Sequence, residues 1–588
     1  MRNTYYEGPS VPISEEIDGM KYRQEGETFD DKIRRLAGAL CDDAEHEYEL
    51  QDILGNMRFL PAGRVQNSVG SRRITTAFNC FVSGTIEDSM NSIMEKASEA
   101  AETMRRGGGI GYDFSRIRPR GDLIKSLDSH SSGPISFMQI FDSVCQTIAS
   151  SGHRRGAQMG VIRVDHPDIQ NFIRAKRDST SLTGFNISVA VTDKFMEAVD
   201  QDSDYDLWFD GVKRGKLNAR EIWNEIMHST WDWAEPGVLF IDRINEMNNL
   251  AYCEDIATTN PCGEQPLPPY GACLLGSFNL AKYVYMQEDA DCYPVGYAFD
   301  MNGFKRDIPH VVRAMDNVID RTIYPLKEQA DEAKNKRRMG LGITGLANAG
   351  EMLGFPYGSE DFLEWTEEIF KTLRNFTYRA SLELAKEKGP FPAYRDDWLK
   401  SGFAKTLPYK LRKGIKEYGI RNSHLTSIAP TGTISLVADN VSGGIEPVFS
   451  HYFDRTITLA DGPRVERVKD YAYALGTKGR RANDISVQEH LNVLLLAQHY
   501  VDSACSKTCN VGEDITYDEF KQVYMDAWKG GAKGCTTFRA AGKRYGILNE
   551  AVEEEETSTS ETESFEETYG EKATACYIDP VTGLRECG

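Results

Sequence analysis

The chain has 588 residues, of which 40% are hydrophobic and 27% charged, and its formal net charge is −21. This length exceeds what one hydrophobic core usually supports, so one large domain or two to three smaller ones are expected. The negative charge argues against a nucleic-acid binder. Because no apolar run could span a membrane or form a signal peptide, we expect a cytoplasmic protein without a membrane partner.

Four regions follow one another along the chain. Residues 1–60 are expected to be mostly helical, because "DDKIRRLAGALCDDAEHEYELQDIL" spaces its apolar residues at helical intervals. From 61 to 548, strand-like runs such as "FNISVAV" and "GVLFI" alternate with amphipathic helical stretches, which predicts an α/β domain. Residues 549–575 contain ten Glu and one Lys and are expected to form a disordered acidic linker before a short tail, 576–588.

The tail carries two cysteines, Cys576 and Cys587. A flexible coil the length of the linker has a root-mean-square span of roughly 30 Å and a stretched reach of about 90 Å. The tail could therefore visit a buried site and return. The alternative is a frayed terminus that happens to contain two thiols.

Twelve cysteines in a cytosolic chain suggest redox, metal or catalytic use more than a disulfide framework. No C-x-x-C occurs, so a zinc site built from paired cysteines is disfavoured and no metal site is predicted. Seven thiols are expected to be buried in the core, namely Cys41, Cys145, Cys253, Cys292, Cys505, Cys509 and Cys535.

Two glycine-containing motifs resemble nucleotide-binding loops. Gly340, Gly342 and Gly345 match G-x-G-x-x-G, but the preceding "DEAKNKRRM" is too polar for the buried strand that this fingerprint requires. Nicotinamide binding is therefore disfavoured, and no P-loop occurs. "APTGTISL" offers backbone N–H groups and hydroxyls for an anion pocket, at Thr431, Gly432, Thr433, Ile434 and Ser435.

The stretch "NPCGE" combines an amide, a thiol and a carboxylate. If it runs extended, Asn260, Cys262 and Glu264 occupy alternate positions and project on the same side. Pro261 would stiffen the approach and Gly263 would permit a tight tip. The alternative is a turn with a merely buried cysteine.

Nine motifs follow one another along the chain, namely "FLPAGR", "FNCFVSGTIEDSM", "RRGGGIGYDFSRIRPRGD", "SSGPISFMQIFD", "RRGAQMGVIRVDHPDI", "NPCGEQPLPPYGACLLGSFNL", "RRMGLGITGLANA", "APTGTISL" and "GCTTFR". Taken together, they resemble the motifs of ribonucleotide reductases, specifically the adenosylcobalamin-dependent class II enzymes. The resemblance implies a ten-stranded α/β barrel of two five-stranded halves, whose central finger loop carries Cys262. Residues 61–548 would form this catalytic barrel with its specificity site.

The resemblance also implies the reaction, which converts ribonucleotides, with diphosphates as the expected substrates, to 2'-deoxyribonucleotides for DNA synthesis. Cys262 would become a thiyl radical that abstracts the 3'-hydrogen, and Glu264 would take the 3'-hydroxyl proton. Asn260 would hydrogen-bond the substrate hydroxyls. Cys80 and Cys273 would supply the reducing equivalents and close a disulfide as the 2'-hydroxyl leaves as water.

Further roles follow from the same resemblance. Cys576 and Cys587 would reduce the active-site disulfide and be reset by thioredoxin or glutaredoxin, while residues 431–435 would hold the substrate phosphates. Asp88 and Arg118 would bind a deoxynucleotide effector. Loop 2, which includes Gly152, His153, Arg154 and Arg155, would relay the identity of the bound effector to the site of the substrate base. A homodimer is expected, and ATP-cone control is not.

Class II is favoured over the other two classes of the family. Class I needs a radical-generating subunit and a tandem tyrosine pair, whereas the corresponding stretch here reads "KGCTTFRAAGKR". Class III needs a glycyl-radical motif and a cysteine-rich zinc site, and neither occurs. Adenosylcobalamin is inferred from resemblance alone, because no D-x-H-x-x-G motif or cobalt-ligand spacing is present. A regulatory nucleotide-binding protein without catalysis is the remaining alternative.

Overall fold

The computed structural model describes residues 6, 8–150, 154–155, 157–177, 180–288, 294–459, 462–512, 515–539, 577–578 and 585–586. In these ranges no helix combines the length and the apolar character needed to cross a bilayer. The predicted acidic linker, Cys292, and both tail cysteines lie outside the described residues.

Helices occur along the whole described chain. They are α1 Pro12–Tyr22, α2 Phe29–Leu40, α3 Ala44–Gly55, α4 Gly63–Ser68, α5 Met90–Arg105, α6 Pro134–Thr147, α7 Ile169–Arg174, α8 Asp193–Asp200, α9 Ala219–Trp233, α10 Ile241–Glu246, α11 Met301–Arg321, α12 Lys327–Lys336, α13 Leu346–Met352, α14 Glu360–Lys388, α15 Gly402–Thr406, α16 Tyr409–Tyr418, α17 Gly432–Val437, α18 Tyr471–Ala474, α19 Val487–Tyr500 and α20 Tyr517–Lys529.

Strands alternate with these helices. They are β1 Phe59–Pro61, β2 Cys80–Val82, β3 Gly109–Asp113, β4 Leu123–Ile124, β5 Ser129–His130, β6 Ala149–Ser150, β7 Arg154–Arg155, β8 Gln158–Arg163, β9 Phe185–Val191, β10 Asp204–Phe209, β11 Val212–Asn218, β12 Gly237–Phe240, β13 Thr258–Thr259, β14 Pro266–Leu267, β15 Ala272–Cys273, β16 Leu275–Asn279, β17 Val284–Glu288, β18 Pro294–Phe299, β19 Gly340–Thr344, β20 Tyr452–Leu459, β21 Gly462–Lys469, β22 Thr508–Val511, β23 Gly534–Arg539, β24 Tyr577–Ile578 and β25 Arg585–Glu586.

Two sheets organise the molecule. The larger sheet has the order β15-β2-β3-β8-β9-β12-β23-β22, and its strands from β2 to β12 are mutually parallel. Helices connect these parallel strands, as βαβ crossovers require. The smaller sheet has the order β1-β16-β19, and isolated bridges continue it from Leu341 to Thr426 and from Ile428 to Cys505. This arrangement confirms the predicted α/β class.

Each sheet has its own hydrophobic core. One core packs α1 to α3, α11 and α14 against β16 and β19. The other packs α5, α6, α9, α19 and α20 against the larger sheet. The N-terminal helices therefore pack directly on the sheet that, as shown below, forms one wall of the candidate site.

The glycine motif at 340–345 is structural, as its polar context predicted. Gly340 and Gly342 lie inside β19, where a Cβ would overlap the Gln265 Nε2 atom and the Ser427 carbonyl oxygen, respectively. Gly345, with φ of 72°, precedes α13 in the left-handed region. These glycines permit close strand packing instead of forming a dinucleotide loop.

Three of the six described cysteines that were expected in the core are buried. Cys145, Cys509 and Cys535 are buried and form no disulfide, and Cys41 and Cys505 are partly exposed. The prediction was wrong for Cys253, which is exposed. This residue lies in a turn after α10, where its backbone N–H donates to the Leu250 carbonyl.

Candidate active site

A short hairpin carries the thiol and the carboxylate of "NPCGE". Strands β13 and β14 pair antiparallel, and the Asn260 N–H donates to the Gln265 carbonyl at 3.0 Å. The Gly263 N–H donates to the Asn260 carbonyl at 3.0 Å, and Gly263 has a φ of 81°. The stretch is thus a tight turn and not the extended segment we considered, because the left-handed Gly263 reverses the chain.

Both sheets hold this hairpin in place. The Asn186 side chain on β9 donates to the Pro261 carbonyl at 3.1 Å. From the opposite side, the Ser427 hydroxyl and the Ala504 N–H both donate to the Glu264 carbonyl at 2.9 Å. The loop around Cys262 is therefore fixed by backbone and side-chain contacts on both flanks.

One pocket, with about 510 Å³ of space between atoms that includes open solvent, brings together seven of the ten residues predicted for catalysis and phosphate binding. It is lined by Tyr22, Ala62, Gly63, Asn79, Cys80, Cys262, Glu264, Leu275, Gly276, Ser277, Ala429, Pro430, Thr431, Gly432, Thr433 and Ile434. Cys262 and Glu264 are almost completely buried. Two cysteines, a carboxylate and the predicted anion-binding turn thus share one pocket.

Asn260 lies behind the pocket wall. Its side-chain oxygen accepts from the Gln265 N–H at 2.9 Å, which fixes the orientation of the amide. Its Nδ2 atom is buried and has no hydrogen-bond partner among the described residues. Because an unpaired buried donor is costly, this amide is available for a bound molecule.

Strand register brings the two predicted reducing cysteines opposite each other. In the antiparallel pair of β2 and β15, Cys80 is the direct partner of Cys273. Directly opposed residues have Cα atoms about 4.5–5.5 Å apart, which is within the range of a disulfide. Cys80 is buried and forms no disulfide, whereas Cys262 is disulfide-bonded.

The predicted anion pocket is the start of α17. Thr431 precedes this helix with a φ of 55°, and its hydroxyl contacts the Thr344 hydroxyl at 2.9 Å and accepts from the Gly444 N–H at 2.8 Å. These contacts hold Thr431 in the left-handed conformation. Ser435 does not line the pocket, and its hydroxyl donates to the Gly432 carbonyl at 3.2 Å.

The predicted effector residues lie apart from this pocket and contact each other. The Arg118 Nε atom is 2.7 Å from the Asp88 carboxylate, and the Arg118 N–H donates to the same carboxylate at 3.1 Å. Two residues of loop 2, Arg154 and Arg155, form strand β7, which pairs with β6. Gly152 and His153 lie outside the described residues.

The sequence did not assign several pocket residues. Ala62 and Gly63 belong to "FLPAGR" and Asn79 to "FNC", so their motifs were visible but their roles were not. Tyr22 lies in the N-terminal helical segment, and no local pattern marks it. Only the packing of α1 beside α17 places it at the site.

Comparison with protein families agrees with this geometry. The model of the "Ribonucleotide reductase, barrel domain" matches residues 78–538, which is most of the chain. The chain belongs to the ribonucleotide reductase family.

Individual relatives narrow this assignment. A "Vitamin B12-dependent ribonucleoside-diphosphate reductase" of Mycobacterium tuberculosis is 35% identical, covering 92% of this chain and 79% of its own. A protein of the same name from Thermoplasma acidophilum is 34% identical, covering 86% and 66%. A "Ribonucleoside-diphosphate reductase large subunit" of variola virus is 24% identical, covering 83% and 65%. The higher similarity to B12-dependent relatives confirms the resemblance to class II.

Proposed function

We propose that this protein is an adenosylcobalamin-dependent ribonucleotide reductase that converts ribonucleoside diphosphates to 2'-deoxyribonucleotides. The observation that carries the proposal is the single pocket shared by Cys262, Glu264, Cys80 and the turn at 431–434. It provides a buried cysteine that would carry the radical once reduced, a carboxylate, a second cysteine and a turn that would bind the phosphates. The similarity to B12-dependent relatives supports the choice of cofactor.

The same proposal includes a closed ten-stranded barrel spanning 61–548, after a helical segment at 1–60. Its first half is the parallel set β2, β3, β8, β9 and β12. The second would be β16, β19, the segment near 426–428, β22 and β23, linked by the isolated bridges. Both junctions are antiparallel, β12 with β23 and β2 with β15. These pairings support closure around the hairpin that carries Cys262.

The donor set fits the cofactor. Adenosylcobalamin supplies, when bound, a carbon-centred radical able to take a hydrogen atom from a thiol. Cys262 is 1% exposed, so a thiyl radical there would be shielded from solvent. Strand β23 has Thr536, Thr537 and Phe538 where class I would need a tyrosine pair, which supports a mechanism without a radical-generating subunit. Turnover requires Cys262 as the free thiol.

At the ribose, the thiyl radical of Cys262 takes the 3'-hydrogen and Glu264 accepts the 3'-hydroxyl proton. The free Nδ2 donor of Asn260 orients the hydroxyl groups. Cys80 and Cys273 together give two electrons and two protons. The 2'-hydroxyl leaves as water, the two sulfurs form a disulfide, and Cys262 recovers its hydrogen atom from the 3'-position.

The tail would then reduce the disulfide between Cys80 and Cys273. Strands β24 and β25 pair with each other, and β25 lies against α17 at the pocket. This position supports the reach expected of the tail, so Cys576 and Cys587 would exchange with the active-site disulfide and be reset by thioredoxin or glutaredoxin. Effector binding at Asp88 and Arg118, relay through loop 2, dimerisation and a cytoplasmic location remain predictions.

Turnover of the full chain tests the proposal directly. Purified protein should form deoxynucleotides from ribonucleotides with adenosylcobalamin and dithiothreitol alone. Omission of the cofactor should abolish product formation. If product formed only after addition of an iron- or manganese-containing subunit, the class assignment would be wrong. If no ribonucleotide were reduced under either condition, the proposed activity would be wrong.

A further inference from the structure

The N-terminal helix α1 lies alongside the anion-binding helix α17. The Ser10 and Val11 N–H groups donate to the Asp439 carboxylate at 2.7 and 3.1 Å, just beyond the end of α17. The Ser14 hydroxyl donates to the Leu436 carbonyl at 2.6 Å. Residues later in α1 therefore contact residues earlier in α17. The two helices are antiparallel, and the end of α1 points past the start of α17.

This geometry places Tyr22 beyond the anion-binding turn. Tyr22 is eight residues after Ser14, about 12 Å along α1, whereas Gly432 is about 6 Å along α17 from Leu436. The last residue of α1 therefore extends past the first turn of α17. The Tyr22 side chain lines the same pocket as Thr431 and Gly432. Tyr22 and the predicted phosphate-binding turn therefore share the lining of one pocket.

Tyr22 is also held firmly in place. The Arg35 guanidinium donates to the Tyr22 carbonyl at 3.2 Å, and the Asn67 side chain donates to the Lys21 carbonyl at 2.7 Å. The ring packs against Gly63, where a Cβ would lie 2.8 Å from a ring carbon and 2.9 Å from the phenol oxygen. Tyr22 is 6% exposed. A fixed, buried ring of this kind forms a wall that does not yield easily.

We propose that Tyr22 closes the phosphate end of the pocket and determines that the substrate carries two phosphates and not three. The inference rests on the proposed function and names a residue that sets its substrate class. A third phosphate would have to displace a packed aromatic ring, and such overpacking is destabilising. A diphosphate ends before the ring, so its binding does not require this displacement.

The test compares the diphosphate and triphosphate of one ribonucleoside as substrates of the full-length holoenzyme. In Tyr22→Ala, the ratio of kcat/KM for the triphosphate to that for the diphosphate should rise by about 10-fold or more. Tyr22→Leu, which keeps apolar packing with a shorter side chain, should shift the ratio in the same direction. Tyr22→Phe keeps the ring and should leave the ratio unchanged.

Tyr48→Ala is the matched control, because Tyr48 is an exposed tyrosine of the same helical segment. An unchanged ratio in folded Tyr22→Ala and Tyr22→Leu would overturn the inference. A wild-type preference for the triphosphate would do so too. Both results leave ribonucleotide reduction intact and so differ from failure of the proposed function, in which the wild type reduces neither substrate.

Discussion

Gly111 on β3 faces the backbone of the Cys262 hairpin. A Cβ there would overlap the Thr259 carbonyl oxygen and lie 3.0 Å from its carbon. Both contacts involve backbone, so Gly111→Ala would have to displace the hairpin by about 1 Å, at a cost of about 1–3 kcal/mol. A shift of about 1 Å at a reacting group can lower turnover about 100-fold. We therefore expect a folded protein with severely reduced kcat.

The assay is steady-state deoxynucleotide formation with adenosylcobalamin and dithiothreitol, together with calorimetric unfolding. Gly512→Ala is the control, because a Cβ at Gly512 would meet no atom within 4 Å. This control should leave both kcat and the unfolding temperature close to those of the wild type. If Gly111→Ala kept kcat within about twofold of the wild type, the hairpin would not depend on this contact for its position.

Three further predictions concern thiols and a buried ion pair. Cys262→Ser should abolish product formation, measured by chromatography, because a serine O–H bond is too strong to yield its hydrogen atom. Replacing Cys576 and Cys587 by Ser should limit thioredoxin-driven reduction to about one turnover per site, while dithiothreitol-driven turnover persists. Lys507→Met should lower the free energy of unfolding, measured in urea, by about 3–5 kcal/mol. The reason is that Glu446, whose carboxylate lies 2.7 Å from the Lys507 ammonium, would remain as a buried charge.

Each of these predictions has a control and an opposing outcome. The control Cys41→Ser should leave turnover unchanged. Product formation by Cys262→Ser would contradict the assignment of the radical to Cys262. Multiple turnovers with thioredoxin in the tail variant would contradict the shuttle. Lys400→Met removes an exposed partner of Asp397 and should change stability by less than about 1 kcal/mol. An equally small effect at Lys507 would show that its pair is not buried in solution.

The elements that the sequence predicted best have long and regular hydrophobic patterns. "FNISVAV" is strand β9 from its first residue to its last, and the amphipathic stretch from 362 to 388 lies within α14. The glycine motif at 340–345 was assigned correctly because its neighbours are polar. In these cases the deciding information is local, since burial on one face requires a matching periodicity.

The hairpin at "NPCGE" shows what local reasoning could not decide. An extended chain and a tight turn are both compatible with the spacing of Asn260, Cys262 and Glu264. The choice depends on hydrogen bonds from Asn186 and Ser427, which are distant in sequence. The resemblance supplied the chemistry of the segment, but its conformation required the tertiary structure.

The pairing of the two cysteines predicted to be reductants illustrates the same limit for strand register. Cys80 and Cys273 are opposite only because β2 and β15 pair without a shift. A one-residue slip would point one side chain to the other face of the sheet. Neither short strand specifies its partner by pattern. The resemblance predicted that the two cysteines act together, and the register shows how the backbone allows it.

The N-terminal helices contribute to the pocket, so the barrel alone does not form the whole site. The matched barrel family begins at residue 78, yet Tyr22, Ala62 and Gly63 line the pocket before that point. The Asp439 carboxylate, which follows the anion-binding helix, accepts hydrogen bonds from the start of α1. A shift of α1 would therefore change both the wall and the anion-binding end of the pocket. If Tyr22 has the proposed role, substrate selection depends on the N-terminal segment and the barrel together.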